Sequence, residues 1–179
     1  MKTRMAWVAL AAVTAACGLG VVAGSDVDPS VDFNRYGTFT WDKPDDRPIG
    51  DPRLENNPFF YERLHAAVAV ELAEHGIRQG ANGPGLIIHH HATVRNRVDV
   101  YEVDERAGYS RPAGYRESSQ VIQYDEGTIL VDIADAETRV LIWRGWAQFD
   151  IGRALANPDV MDHAIQEAIH RMFEDFPGG

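Results

Sequence analysis

Apolar positions recur along this chain with two different periods, and the switches between them mark its elements. Thr38 to Trp41, the end of DFNRYGTFTW, alternates as a strand does. Residues 42–58, DKPDDRPIGDPRLENNP, carry prolines among turn formers and predict a loop. Asn57-Pro58 then predicts a helix start, with Asn57 as the cap and Pro58 in the first turn. Phe60, Leu64, Ala67, Val68 and Leu72 keep helical spacing until Gly76, placed as a residue just past a helix end. After the turn-rich RQGANGPG, the stretch Leu86 to about Arg97 predicts a strand. Residues 98–119 have no sustained period and predict a long irregular excursion. GTILVDIAD and RVLIWRGWAQF flank Asp135 to Thr138 and predict a β-hairpin. The second of these strands is apolar on both faces, so a place inside the sheet with cover on both sides is expected. A last helix starts near Pro158, aligns Met161, Ile165, Ala168, Ile169, Met172 and Phe176, and stops at Pro177.

The order strand, helix, strands, hairpin, helix predicts an α+β fold. Two main helices pack on a largely antiparallel or mixed sheet, in one domain over residues 24–179. A chain of 179 residues, with 45% hydrophobic and 25% charged residues, is long enough and apolar enough for such a core. The formal net charge of −10 lacks the basic footprint that nucleic acid or anionic lipid requires.

Residues 1–23 change the picture. Lys2 and Arg4 precede an alanine-rich apolar run, Met5 to Ala16, which is the layout of a secretory signal peptide. Ala15-Ala16-Cys17 resembles a lipobox, in which the cysteine is lipidated and becomes the first residue, although Thr14 stands where Leu, Val or Ile is usual. Cleavage before Cys17 is favoured over two alternatives. Val21-Val22-Ala23 fits ordinary signal peptidase and would release a soluble periplasmic protein. Met5 to Gly24, uncharged throughout, is long enough to span a bilayer uncleaved. Gly24 to Asp32 then serves as a polar tether. With a single cysteine, Cys17, no disulfide forms within the chain.

The run from Tyr124 to Thr138, continued by RVLIWRGWAQ, resembles the closing hairpin of the DUF4136 family, bacterial envelope lipoproteins of unknown function. DFNRYGTFTW is similar to that family's early aromatic segment, GPGLIIHHHATV to its middle strand, and the final helix ending in Phe176-Pro177 to its last element. The resemblance implies export, lipidation at Cys17 and an α+β domain. It implies no catalytic residues.

The histidine run His89-His90-His91 poses the sharpest chemical question. In a strand, His89 and His91 share one face and His90 points to the other, so at most two of the three can hold one metal. A third ligand would have to come from His65, His75, Asp132 or Glu126. The pattern fits an ordinary half-exposed strand better. Among the carboxylates Asp125, Glu126, Asp132, Asp135 and Glu137, a turn role is expected for Asp135 and Glu137, and an ion pair with Arg139 or Arg144 for Asp132. In WRGWA, Gly145 signals a bulge or a close approach, Trp143 a core residue and Trp146 a rim residue. A small-ligand pocket near Asp132 and Trp143 is the remaining enzymatic or binding alternative. Nucleophile-elbow, phosphate-loop, zinc-protease and dinucleotide motifs are lacking. The sequence therefore predicts a non-enzymatic accessory protein of the cell envelope without a cofactor. Its expected partner is an envelope protein or a cell-wall component, and its expected contact residues are Tyr101, Tyr109, Tyr115 and Trp146.

Overall fold

The structure, a computed structural model, describes residues 20–43, 51–55, 57–80, 85–101 and 120–178, and the side chains of 98–101 and 120–123 lie outside that description. Its centre is a six-stranded mixed sheet in the order β1-β6-β5-β4-β2-β3. The strands are β1 (Val22–Val27), β2 (Thr38–Trp41), β3 (Arg78–Gln79), β4 (Gly85–Tyr101), β5 (Gln120–Asp135) and β6 (Leu141–Asp150). The helices are α1 (Pro52–Glu55), α2 (Pro58–Glu74), α3 (Gly152–Ala156) and α4 (Pro158–Phe173). From β1 through β6 and β5 to β4 each adjacent pair is antiparallel, while β2 lies parallel to β4 and to β3. The parallel step from β2 to β4 needs a crossover, and α2 supplies it. This is the α+β fold that the periodicity predicts.

Both long helices begin as the sequence suggests. Asn57 Oδ1 accepts the Phe59 N–H, and Asn157 Oδ1 accepts those of Asp159 and Val160, with proline in the first turn of each helix. α2 buries Phe60, Leu64, Val68 and Leu72; α4 buries Met161, Ile165, Ala168, Ile169 and Met172. Against them stands one face of the sheet: Phe39, Leu86, Ile88, Ala92, Ile129, Val131, Ile133, Trp143, Ala147 and Phe149. Burial of this apolar area is the main favourable term of the fold.

Several expectations need correction. Gly24 to Asp32 is not a tether, because Val22–Val27 forms an edge strand on β6. The loop 42–58 contains the short helix α1. The excursion does not start at residue 98: β4 runs on to Tyr101 and pairs with β5 down to Tyr101–Gln120, leaving 102–119 outside the described residues. β6 does lie inside the sheet, yet among the described residues its outer side is uncovered, since Leu141 and Trp146 are exposed. Both Ile142 and Trp143 are buried because the ladder shifts register between Ile133 and Ala134, and Ile142 is the residue skipped. Gly145 is a close approach, as expected, although the neighbour is a ring: a Cβ there would overlap the indole of Trp143.

The hairpin turn is held by one carboxylate. Asp135 is 7% exposed; its Oδ1 accepts the N–H groups of Glu137 and Thr138 and the Thr138 hydroxyl, and its Oδ2 accepts the Tyr36 hydroxyl at 2.8 Å. These bonds, led by the Thr138 amide, hold its carboxyl down to about 2. Tyr36→Phe should therefore cost about 1.5–3 kcal/mol in urea unfolding at neutral pH, the usual worth of a hydrogen bond to a buried charge. Because the folded pKa is depressed, Asp135 stabilises the fold above the unfolded carboxylate range. That contribution should fade as pH falls from about 4 towards 2 and be absent in Asp135→Asn.

Candidate functional site

The residues that the sequence singles out meet on the outer face of the sheet, the side opposite the helices. Register places them in cross-strand rows. One row runs Gly24, Trp146, Leu130, His91; the next runs Asp26, Arg144, Asp132, His89; the row on the other side runs Val22, Gln148, Thr128, Thr93. His89, His91, Asp132 and Trp146 thus share one surface, as the two-residue period requires. Trp146 remains 37% exposed, and its indole lies over Gly24, where a Cβ would come within 3.1 Å of the ring. A side chain at residue 24 would displace the ring, so glycine permits the stacking.

Arg144 donates from Nε and Nη2 to the two oxygens of Asp132 at 2.6 and 2.7 Å. The register that puts these two opposite each other selects Arg144 over Arg139 as the partner. The pair satisfies both carboxylate oxygens and raises the Arg144 pKa through that hydrogen bond. Asp125 and Glu126 are engaged as well. Asp125 accepts from Asn96 and from Arg53, and Glu126 accepts from Arg97. Each of these three carboxylates thus faces a donor of its own rather than a second carboxylate, as an acid–base pair would require.

Among the described residues, none of the four candidates joins His89 and His91 as a third metal ligand. His65 lies on the helix side of the sheet, His75 bonds through Nδ1 to the Gly178 carbonyl, Asp132 holds Arg144 and Glu126 holds Arg97. Among the described residues no group of three His, Cys, Asp or Glu side chains is placed to hold a metal ion. Asp132 and Trp143, between which a pocket is expected, lie on opposite faces of the sheet and do not line one site. Asp132 stands opposite Arg144 on the outer face, whereas Trp143 pairs with Ile133 on the inner face and is 1% exposed. A cleft of about 120 Å³ does occur between the starts of α2 and α4, lined by Arg53, Asn57, Phe59, Arg63, Ala154 and Met161. Its two arginines pair with Asp51 and Asp162. Tyr101 closes β4 with its side chain outside the description, and Cys17, Tyr109 and Tyr115 lie outside the described residues.

Sequence reasoning missed a cluster on the inner face. His90, 8% exposed, meets His65 of α2 at 4.8 Å between ring centroids, Tyr61 at 5.2 Å and Trp41 of β2 at 5.9 Å. His65 stacks on Trp41 at 3.8 Å and 16°. Its Nε2 is buried without a hydrogen-bond partner. The strand period does send His90 inward, but its partners come from two other elements.

Residues 23–178 match the family described as a domain of unknown function, DUF4136. The chain belongs to the DUF4136 family. That span includes β1 almost entirely and ends with the aromatic C-terminal segment, so the family domain and the observed fold coincide. No curated protein matches the chain. Among solved structures, it is similar to a PDZ domain protein from Parabacteroides distasonis, with 17% identity and a TM-score of 0.50 over 88% of this chain and 36% of that one. The chain therefore spans little more than a third of that protein. It is also similar to PelC from Paraburkholderia phytofirmans, a dodecamer, with 9% identity and a TM-score of 0.44 over 88% of this chain and 99% of PelC. At these identities the first likeness speaks to the fold of the DUF4136 domain alone.

Burial pushes the His65 imidazole below its usual 6.5 and favours its neutral form in the fold. The unfolded chain thus takes up the proton first, and stability should fall as pH drops below about 6.5. His65→Phe keeps a ring against Trp41 and should flatten that part of the stability–pH curve. An unchanged curve in the variant would show that His65 does not carry the dependence.

Proposed function

We propose that this DUF4136 protein is an exported envelope protein, anchored by a lipid on Cys17, and that its domain is a non-catalytic interaction module. The observation that carries the reading is the outer face of the sheet. It presents an indole kept 37% exposed on a rigid four-strand row, beside an ion pair whose carboxylate has both oxygens engaged and so is not poised for acid–base work. Exposed aromatics with a neighbouring arginine are the residue types enriched at interface centres. Export rests on the basic and apolar layout of residues 1–23, and lipidation on Ala15-Ala16-Cys17. The partner is an envelope protein or a cell-wall component that reads the Trp146 row.

Two measurements test this. A photo-crosslinking residue at Gln148, next to Trp146 on the outer face, should give a discrete adduct in the native envelope. One at Val70, 58% exposed on α2, should not. Trp146→Ala should abolish the adduct while leaving the unfolding midpoint within a few degrees. Equal labelling from both faces would sink the interaction surface. For the anchor, Cys17→Ala should abolish labelling by a fatty-acid probe, and continued labelling would refute lipidation there.

A further inference from the structure

Residues 21–23 carry two roles that exclude each other. As sequence, Val21-Val22-Ala23 is a serviceable signal-peptidase site, with Val21 and Ala23 in the positions where small or short residues are read. As structure, the same residues are the start of the folded domain. Val21 is 5% exposed and belongs to the core. Its carbonyl accepts a hydrogen bond from Arg171 Nη1 at 2.8 Å, which ties α4 to the start of β1. Val22 pairs with Gln148 and Ala23 with Ala147, and Ala23 packs against the core. Hydrolysis after Ala23 would remove a core side chain, deprive Arg171 Nη1 of its acceptor and strip the first pairs from the edge of β6. It would also place a new ammonium on Gly24, under the indole of Trp146.

We infer that residues 21–23 stay in the mature protein and that processing occurs upstream of Val21. This rests on the proposed export and deepens it. Water cleaves one peptide bond of the leader, leaving a carboxylate on the leader and an ammonium on the mature chain, at a bond whose loss the fold does not feel. Ala23–Gly24 fails that condition, because the residues before it are built into the core and the edge of the sheet. Ala16–Cys17, the bond at which the lipobox resemblance places cleavage, leaves all of them in place. With Cys17 as first residue, only residues 18–20 separate the lipid from the core, a reach of at most about 14 Å between Cys17 and Val21. The Val22 end of the sheet would then be held at the bilayer surface.

The full-length chain, expressed in a bacterial host and recovered from its envelope, tests this through the mass of its N-terminal peptide and its thermal midpoint. The expected first residue lies at or before Gly20. Val21→Ala should lower the midpoint of the mature protein by roughly 3–8 °C, because a buried side chain is truncated. A residue removed with the leader could have no such effect. A mature chain beginning at Gly24 would overturn the inference and the Cys17 anchor and leave export standing. An uncleaved chain in the envelope would overturn processing upstream of Val21 and leave export standing; absence of the chain from the envelope would overturn export itself. An upstream terminus with no response to Val21→Ala would overturn the claim that burial of Val21 protects the segment.

Discussion

Asp135 fixes the register on which the rest of the sheet depends. Its two oxygens bind the turn backbone at Glu137 and Thr138 and the hydroxyl of Tyr36, which comes from the opposite end of the domain sequence. The turn it closes includes Arg139 at φ 60°, a left-handed conformation that a non-glycine residue adopts at a cost of about 1 kcal/mol. A one-residue slip in this hairpin would turn Trp143 outward and Asp132 inward. The hydrogen bonds at Asp135 therefore decide which side chains form the core and which form the outer face. The single skipped residue, Ile142, adjusts the ladder beside the turn without disturbing the pairs beyond it.

The two faces that result differ in kind. The inner face is largely apolar; of its buried polar side chains, Asp135 closes the turn and His90 is packed among Trp41, Tyr61 and His65. The outer face is mixed, with polar side chains in rows that pair across strands and one large indole among them. A reactive centre needs groups held ready but unsatisfied, and Asp125, Glu126, Asp132 and Asp135 are each engaged by arginine, asparagine or backbone amides. Such a surface is suited to contact. The strand period splits the histidine run accordingly, two towards the outer face and one into the core.

Much of this was legible in the sequence because local signals and tertiary packing agree. The helix starts at Asn57 and near Pro158, the hairpin around Asp135, the inward and outward alternation of Leu86 to Val94 and the contrast between Trp143 and Trp146 all follow from spacing and residue type. Three features were not legible, for different reasons. β1 has the composition VAGSDV, without an apolar alternation, and is a strand because the edge of β6 accepts it. The shared face of Asp132 and Arg144, and the separation of Asp132 from Trp143, depend on a register that no local signal encodes. β4 continues past Arg97 through residues whose alternation is polar on one side and carries no core signal.

The sheet also has unequal edges, which bears on where contact can occur. β1 and the two-residue β3 are short, and short edge strands offer little template for further pairing. β4 and β5 instead run beyond β6, which ends with Asp150 opposite Glu126, and continue from Asn96–Asp125 to Tyr101–Gln120 as a ribbon reaching about 20 Å. Two strands alone are marginal in water, so the root of this ribbon has to be fixed by side chains. Asn96 Nδ2 donates to Asp125, Arg53 Nη2 reaches Asp125 from α1, Arg97 Nε donates to Glu126, and Ile151 N–H donates to the Asp125 carbonyl. These braces join three elements at the point where the third strand stops. The polar residues that interrupt the strand pattern in sequence are thus the ones that hold the ribbon to the domain, and their charges serve structure before any reaction.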